Sequence, residues 1–228
     1  MQAVILAGGE GTRLRPYTTV LPKPMMPIGD KPILEIVIKK LADAGIKKIV
    51  LSVGYLEGII RAYFGDGGKF GVDIEYFTER EPLGTAGCLG LIENLEDEFI
   101  VANGDVLTSL DFGDLLEHHR SHGRKVTICA YNKEVTISLG VLELNGDIVE
   151  DYIEKPTYSY SVSMGIYVMN RDVVQYIPRN EYFDLPTLIK KLISVNEPIN
   201  VYKFEGEWHD IGREEDYKAV LDKFEHDR

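Results

Sequence analysis

The chain opens on an unbroken apolar run, Ala3 to Ala7, and the absence of any polar alternation predicts a strand buried on both faces. The pattern then lapses. From Gly8 to Lys31 no strand or helix period is held, and Pro16, Pro22, Pro24 and Pro27 forbid a helix of useful length. Ile33 to Ala44 restores it, with Leu34, Val37, Ile38 and Leu41 on one face and Lys39, Lys40 and Asp43 opposite, an amphipathic helix closed by Gly45. A strand at Lys47 to Val53, a short helix at Glu57 to Phe64, an alternating strand at Val72 to Phe77, a glycine-rich helix at Thr85 to Leu91 and a strand at Phe99 to Ala102 follow. This βαβαβαβ order predicts a mostly parallel sheet with helices on both faces. After a helix at Phe112 to His122 come four strands, Val126 to Tyr131, Leu139 to Leu144, Ile148 to Ile153 and Ser163 to Met169, expected to extend the sheet and wall a cleft. Helices at Asp172 to Tyr176 and Pro186 to Val195, a strand at Ile199 to Phe204 and a helix at Glu214 to His226 complete the reading. With no repeat, low-complexity tract or linker, a single domain over residues 1–228 is expected.

A long irregular loop inside a compact domain is usually functional. Gly8, Gly9 and Gly11 let backbone amides turn toward an anion without a Cβ in the way, and Arg13, Arg15 and Lys23 add fixed positive charge. The pattern suits a polyphosphate. It is neither a Walker loop nor a dinucleotide fingerprint, whose third glycine position is Leu14 here. A flexible linker has no reason to follow a buried strand with this order of residues. Ligands of such sheets sit at the carboxyl ends of strands. The Gly8 loop, the loop from Glu79 to Gly84, and Asp105 in Asn103-Gly104-Asp105 all fall at such ends. Asp105 offers a hard oxygen ligand suited to Mg²⁺.

The net charge of −12 argues against a nucleic-acid or anionic-membrane partner, so anionic substrates need local positive groups such as those of the loop. No apolar run approaches a membrane span, and the strand begins directly after Met1, which leads to the expectation of a cytosolic protein without a signal peptide. The only cysteines, Cys88 and Cys129, lack metal-ligand spacing and read as small core residues. The five histidines form no nucleophile or metal constellation: His118, His119, His122 and His226 read as surface residues, and His209 as orienting its neighbour Asp210.

The segments GGEGTRLRP and PKPMMPIGDKP resemble the signature of sugar-1-phosphate nucleotidyltransferases. EPLGTAG at Glu81 to Gly87, EKP at Glu154 to Pro156 and GEWHDIG around Asp210 bring the chain nearest to mannose-1-phosphate guanylyltransferases. The resemblance implies a Rossmann-like, mostly parallel mixed sheet flanked by helices, of the nucleotide-diphospho-sugar transferase type. It implies transfer of a nucleotidyl group from an NTP to a sugar 1-phosphate of mannose or heptose type, with release of pyrophosphate. By the same likeness, Leu6, Ala7, Gly8, Gly9, Gly11, Thr12, Glu79, Glu81, Pro82, Gly84, Thr85 and Asn103 bind the nucleotide. Arg13 holds the departing pyrophosphate and Lys23 offsets charge at the α-phosphorus. Lys155 binds the sugar phosphate and Glu154 the sugar hydroxyls, while Gly140, Ser163 and Gly165 line the sugar pocket. Asp105 and Asp210 together hold Mg²⁺.

Relatives carry Asn-Ala-Gly where this chain has Ser163-Met164-Gly165, which leaves the sugar open. Many also continue into a left-handed β-helix domain, which is not expected here. A homodimer is left open. No general base is needed, because a sugar 1-phosphate with a second pKa near ~6 is already largely ionised at neutral pH. A carboxylate accepts both adjacent donors of guanine, so Glu79 or Glu81 predicts GTP, with a uridylyl- or thymidylyltransferase as the alternative. A non-catalytic sugar-nucleotide-binding protein predicts loss of Lys23, Asp105 or Asp210, all of which are present. A glycosyltransferase predicts a second Asp after the strand, which the NGDV segment at Asn103 to Val106 lacks.

Overall fold

A computed structural model describes residues 1–226, with side chains as far as Lys223. The first half runs β1 (Gln2–Ala7), β2 (Pro27–Ile28), β3 (Lys31–Pro32), α1 (Ile33–Asp43), β4 (Lys48–Val53), α2 (Glu57–Phe64), β5 (Asp73–Thr78), α3 (Gly84–Gly87), β6 (Glu98–Asn103) and β7 (Val106–Thr108). The second half runs α4 (Phe112–His122), β8 (Val126–Thr136), β9 (Gly140–Asn145), β10 (Ile148–Glu154), β11 (Thr157–Asn170), α5 (Leu185–Ser194), β12 (Ile199–Phe204), β13 (Trp208–Asp210) and α6 (Glu214–His226).

One sheet of 7 strands, in the order β12-β8-β11-β6-β1-β4-β5, organises the chain. β1 lies between β4 and β6 and runs parallel to both. β11 alone runs antiparallel to its neighbours β6 and β8, making the sheet mostly parallel but mixed. The central place of β1 accounts for its apolar run. Ala3, Ile5 and Ala7 join the core beneath α1, α2, α4 and α6, while Val4 joins the core beneath α3 and α5. Neither face is left to water, so neither selects polar residues.

The amphipathic face foreseen for α1 is buried at Leu34, Val37, Ile38 and Leu41. Leu185, Leu188 and Leu192 of α5 bury on the other side of the sheet. Two aspartates start helices: Asp111 Oδ1 accepts from the amides of Gly113 and Asp114, and Asp184 Oδ1 accepts from Thr187 at 2.8 Å. Each such cap contributes about 1 kcal/mol. No helix of the described residues is long and apolar enough to cross a membrane.

The structure departs from the sequence pattern where pairing overrides periodicity. The glycine-rich helix is only one α-turn, continued as a 3₁₀ turn over Cys88–Gly90, and Gly87 lies close to the Glu181 carbonyl, where a Cβ would stand 3.0 Å away. Residues 171–176 are likewise a 3₁₀ helix. Of the four later strands, β8 and β11 join the main sheet and are longer than foreseen, whereas β9 and β10 pair only with each other. Their hairpin exposes Leu142, Leu144, Val149 and Tyr152. β11 is interrupted at Ser163/Tyr167 by a bulge, with Gly165 at φ 74°. The short strands β2, β3, β7 and β13 carry too few residues to show a period.

Candidate active site

The carboxyl ends of β1, β4, β5 and β6 share one rim, and a cleft of about 680 Å³ opens there. Its walls include Leu6, Ala7, Gly8, Gly9, Gly11, Thr12, Arg13, Lys23, Glu79, Pro82, Gly84, Thr85, Asn103 and Asp105. A second cavity of about 360 Å³ shares Thr85, Asn103 and Tyr182 and is closed by Ser163, Gly165, Trp208 and Asp210.

The glycine loop after β1 is anchored rather than loose. Three one-turn 3₁₀ helices, Thr12–Leu14, Tyr17–Thr19 and Lys23–Met25, bury Leu14, Thr18, Met25 and Met26 beneath it. Thr18 Oγ1 donates to the Gly11 carbonyl at 2.8 Å. Gly11 has φ 62°, and a Cβ there would meet Lys23 Cβ at 3.0 Å. Glycine therefore serves both the left-handed turn and the close passage of Lys23. Arg15 departs from the pattern: it faces Glu10 at 3.6 Å on the surface and does not line the cleft.

The two carboxylates meet through a pairing roughly a hundred residues long-range. β13 runs antiparallel to β7 with Asp210 opposite Val106, and the Ile211 amide donates to the Asp105 carbonyl at 3.3 Å. Gly212 separates Arg13 from Asp210: a Cβ there would lie 3.6 Å from both Arg13 Nη1 and Asp210 Oδ2. The Asp210 carboxyl is pushed above its ordinary value, first by burial and then by the negative charge of Asp105, against the pull of Lys23 and Arg13. Lys23 Nζ donates to Asp105 Oδ2 in a contact ion pair. Two close carboxylates, one already drawing a cation and the other destabilised by the first, form a donor set that fits a hard divalent ion such as Mg²⁺. No group of 3 or more Asp, Glu, His or Cys side chains gathers among the described residues, and an ion here would complete its shell with phosphate oxygens and water.

The loop after β5 is held from several sides. Glu79 Oε1 accepts from Ser52 Oγ at 2.7 Å and Oε2 from the Leu83 amide at 3.2 Å. Thr85 Oγ1 accepts from the Leu185 amide at 2.8 Å, and the Phe183 carbonyl takes the amides of Ala86 and Gly87. A Cβ on Gly84, at φ 73°, would stand 2.7 Å from that carbonyl.

Four expected site residues line neither cavity: Glu81, Gly140, Glu154 and Lys155. Glu81 lies exposed at the loop surface. Gly140 and Glu154 belong to the β9–β10 hairpin, where Gly140 makes room for the Tyr152 hydroxyl, and Lys155 follows directly after it, its Nζ 3.7 Å from Glu154 in solvent.

His119 is a correction. It is 2% exposed, with Nε2 hydrogen-bonded to Asn170 Oδ1 at 2.9 Å and Nδ1 to Thr127 Oγ1 at 2.8 Å, so it belongs to the fold and not the surface. His122 lies at the surface, as read, whereas His118 is half-buried against the Tyr202 ring, and burial lowers its basicity; the side chain of His226 lies outside those described. His209 does not line either cavity, since alternation along β13 turns it away from Trp208 and Asp210; burial lowers its basicity. Cys88 and Cys129 are buried, as foreseen.

Sequence reasoning missed Tyr55, Tyr182 and Trp208. Tyr182 borders both cavities, and Trp208 donates its indole N–H to the Met164 carbonyl at 3.2 Å. Arg80, also on the cleft wall, could have been found from its place between the two glutamates.

The chain matches the sequence model of the family described as Nucleotidyl transferase over residues 2–227. It is 36% identical to a UTP–glucose-1-phosphate uridylyltransferase of Synechocystis sp. over 97% of this chain and 62% of that protein. It is also 36% identical to a mannose-1-phosphate guanyltransferase of Yarrowia lipolytica over 95% of this chain and 62% of that protein. The chain thus spans about 62% of the length of these curated relatives. The crystal structure of HddC from Yersinia pseudotuberculosis superposes with TM-score 0.76 and 28% identity, covering 98% of this chain and 99% of that one, and the same protein has been solved with GMP-PN. The neighbours share the nucleotide-diphospho-sugar transferase fold described above. A match that starts in β1 and reaches α6 takes in both carboxylates and the loop between them, and on that ground the chain belongs to the nucleotidyl transferase family.

Proposed function

We propose that this chain transfers the guanylyl group of GTP to a sugar 1-phosphate of the mannose or heptose type, releasing pyrophosphate and forming a GDP-sugar. The observation that carries the reading is the convergence on one rim of an anchored glycine loop, Arg13 and Lys23, a pair of carboxylates and Glu79. The attacking oxygen is already ionised, so the obstacle is repulsion between anions, and catalysis consists of positioning and neutralisation. The amides of Gly8 to Thr12 and the Arg13 guanidinium hold the terminal phosphates and receive the pyrophosphate. Lys23 offsets the charge that develops at the α-phosphorus as the bond from the sugar phosphate forms and the α–β bridge breaks.

Asp105 and Asp210 would hold Mg²⁺, which when bound supplies further neutralisation of the phosphates. The sugar occupies the smaller cavity beside Ser163, Gly165, Tyr182 and Trp208. In this reading Lys155 binds the sugar phosphate and Glu154 the sugar hydroxyls, which requires the β9–β10 hairpin to approach the smaller cavity. Glu79, not Glu81, reads the base, since only Glu79 lines the cleft. A cytoplasmic location goes with such substrates.

The guanyltransferase relative and the GMP-PN complex of HddC support guanine. The equally similar uridylyltransferase supports the second reading, UTP with glucose 1-phosphate. Pyrophosphate release measured over ATP, CTP, GTP, UTP and dTTP with mannose, glucose and heptose 1-phosphates decides between them. GTP is expected to give the highest kcat/KM. Equal use of GTP and UTP or dTTP overturns the guanine assignment, and no release with any pair overturns transfer in favour of nucleotide-sugar binding alone.

A further inference from the structure

β4 reads KIVLSV, and Ser52 is its one polar side chain that is wholly buried. A hydroxyl in such a strand costs free energy unless it is bonded. Its Oγ donates to Glu79 Oε1 at 2.7 Å. The Cys88 thiol is in hydrogen-bonding contact with the same hydroxyl and is pushed up to about 12, first by burial, so it stays neutral. Glu79 is then the only anion in the row Cys88, Ser52, Glu79, and the serine proton is committed to it.

Two further contacts fix the carboxylate. Oε2 accepts from the Leu83 amide at 3.2 Å, and Gly8 packs beside Oε1, where a Cβ would stand 3.1 Å away, while the carboxylate still lines the cleft. The carboxylate is thus located by β1, β4 and the loop before α3 together. Each oxygen has two lone-pair directions and gives one to the protein, leaving one apiece for a ligand in the cleft.

We propose that Ser52 is a positioning residue for nucleotide specificity, setting the plane of the Glu79 carboxylate so that its two free lone pairs meet the adjacent N1–H and N2–H of guanine together. This rests on the reading of Glu79 as the base-reading group. The terminal torsion of a glutamate is broad, so without Ser52 the carboxylate turns about it and one bond of the pair is lost. A pyrimidine nucleotide makes no such paired contact and loses little.

The test is a double-mutant cycle with kcat and KM for GTP and UTP in the wild type, Ser52→Ala, Glu79→Ala and the double variant, each with its melting temperature. Removing one oxygen atom leaves the packing of β4 in place. Ser52→Ala is expected to lower the GTP-to-UTP ratio of kcat/KM about tenfold, through KM for GTP, with kcat on UTP unchanged. In the Glu79→Ala background the same substitution should change the ratio less than about twofold. A loss that falls equally on both nucleotides, or that persists without Glu79, overturns the positioning role. An unchanged preference in Glu79→Ala overturns the base reading itself, whatever Ser52→Ala does.

Discussion

Lys23→Ala removes a structural partner and, in the proposed mechanism, a catalytic charge, and the two effects separate experimentally. The Lys23 and Asp105 side chains are in contact and only 12% and 17% exposed. At an effective dielectric constant near 20, a contact pair attracts by about 4 kcal/mol. Desolvation offsets much of this while both charges are present, but truncation leaves Asp105 desolvated and alone. The fold should lose about 2 kcal/mol, a fall in melting temperature of roughly 4–8 °C for a chain of this size. If Lys23 stabilises charge at the α-phosphorus, the barrier rises by roughly 2.7–4 kcal/mol, and kcat and kcat/KM drop together by about 10²–10³. Cation binding should move in the opposite sense. If Asp105 holds Mg²⁺ as proposed, Lys23 competes with the ion for it, so the variant should need less Mg²⁺ for half-maximal activity. Pyrophosphate release titrated with Mg²⁺ at saturating nucleotide reads both quantities. A change confined to KM makes Lys23 a ground-state binder, and an unchanged or raised Mg²⁺ requirement refutes the competition at Asp105.

Asp105→Asn should keep the fold and lower turnover sharply at limiting Mg²⁺, with partial recovery at raised Mg²⁺ or with Mn²⁺; near-normal activity at limiting Mg²⁺ removes it from the cation site. Asp210 is held above its ordinary value of 3.8, so the folded protein binds its proton more tightly than the unfolded chain does. Its contribution to stability therefore falls as pH rises through that window, and at neutral pH its charge is a net cost. Asp210→Asn should raise the melting temperature at neutral pH while turnover collapses, and a lowered melting temperature contradicts this. His119→Ala should cost roughly 2–4 kcal/mol in urea unfolding, by opening a cavity and orphaning Thr127 and Asn170, with nucleotide preference unchanged; a cost below about 1 kcal/mol returns His119 to the surface.

What was legible in the sequence was whatever follows from local pattern. The apolar run of β1, the amphipathic period of α1 and the glycines and prolines of the loop each state their own conformation, so the succession of strands and helices in the first half, its mostly parallel sheet and the place of the glycine loop could be read. What could not be read depends on distant partners. β7 and β13 are each three residues long and become strands only by pairing with each other. Tyr182 reaches the cleft because Phe183 is tied to Leu83 and to the amides of α3, and no spacing announces that. His119 carries the same polar label as His118 and His122, and only the packing of α4 on β8 and β11 distinguishes it. The bulge at Gly165 lies inside an apolar strand pattern that would read the same without it.

The β7–β13 pairing also fixes the order in which the molecule becomes competent. Glu207 is 98 residues beyond Ser109, with which it exchanges hydrogen bonds at the entry to the pair, and Asp210 follows it. At translation rates of about 5–20 residues per second, the Asp105 strand waits on the order of 5–20 s for its counterpart to be made. During that interval the glycine loop, Arg13 and Lys23 are already synthesised. In the finished fold Lys23 is in contact with Asp105, so the amino-terminal loop supplies this carboxylate with an internal counter-ion.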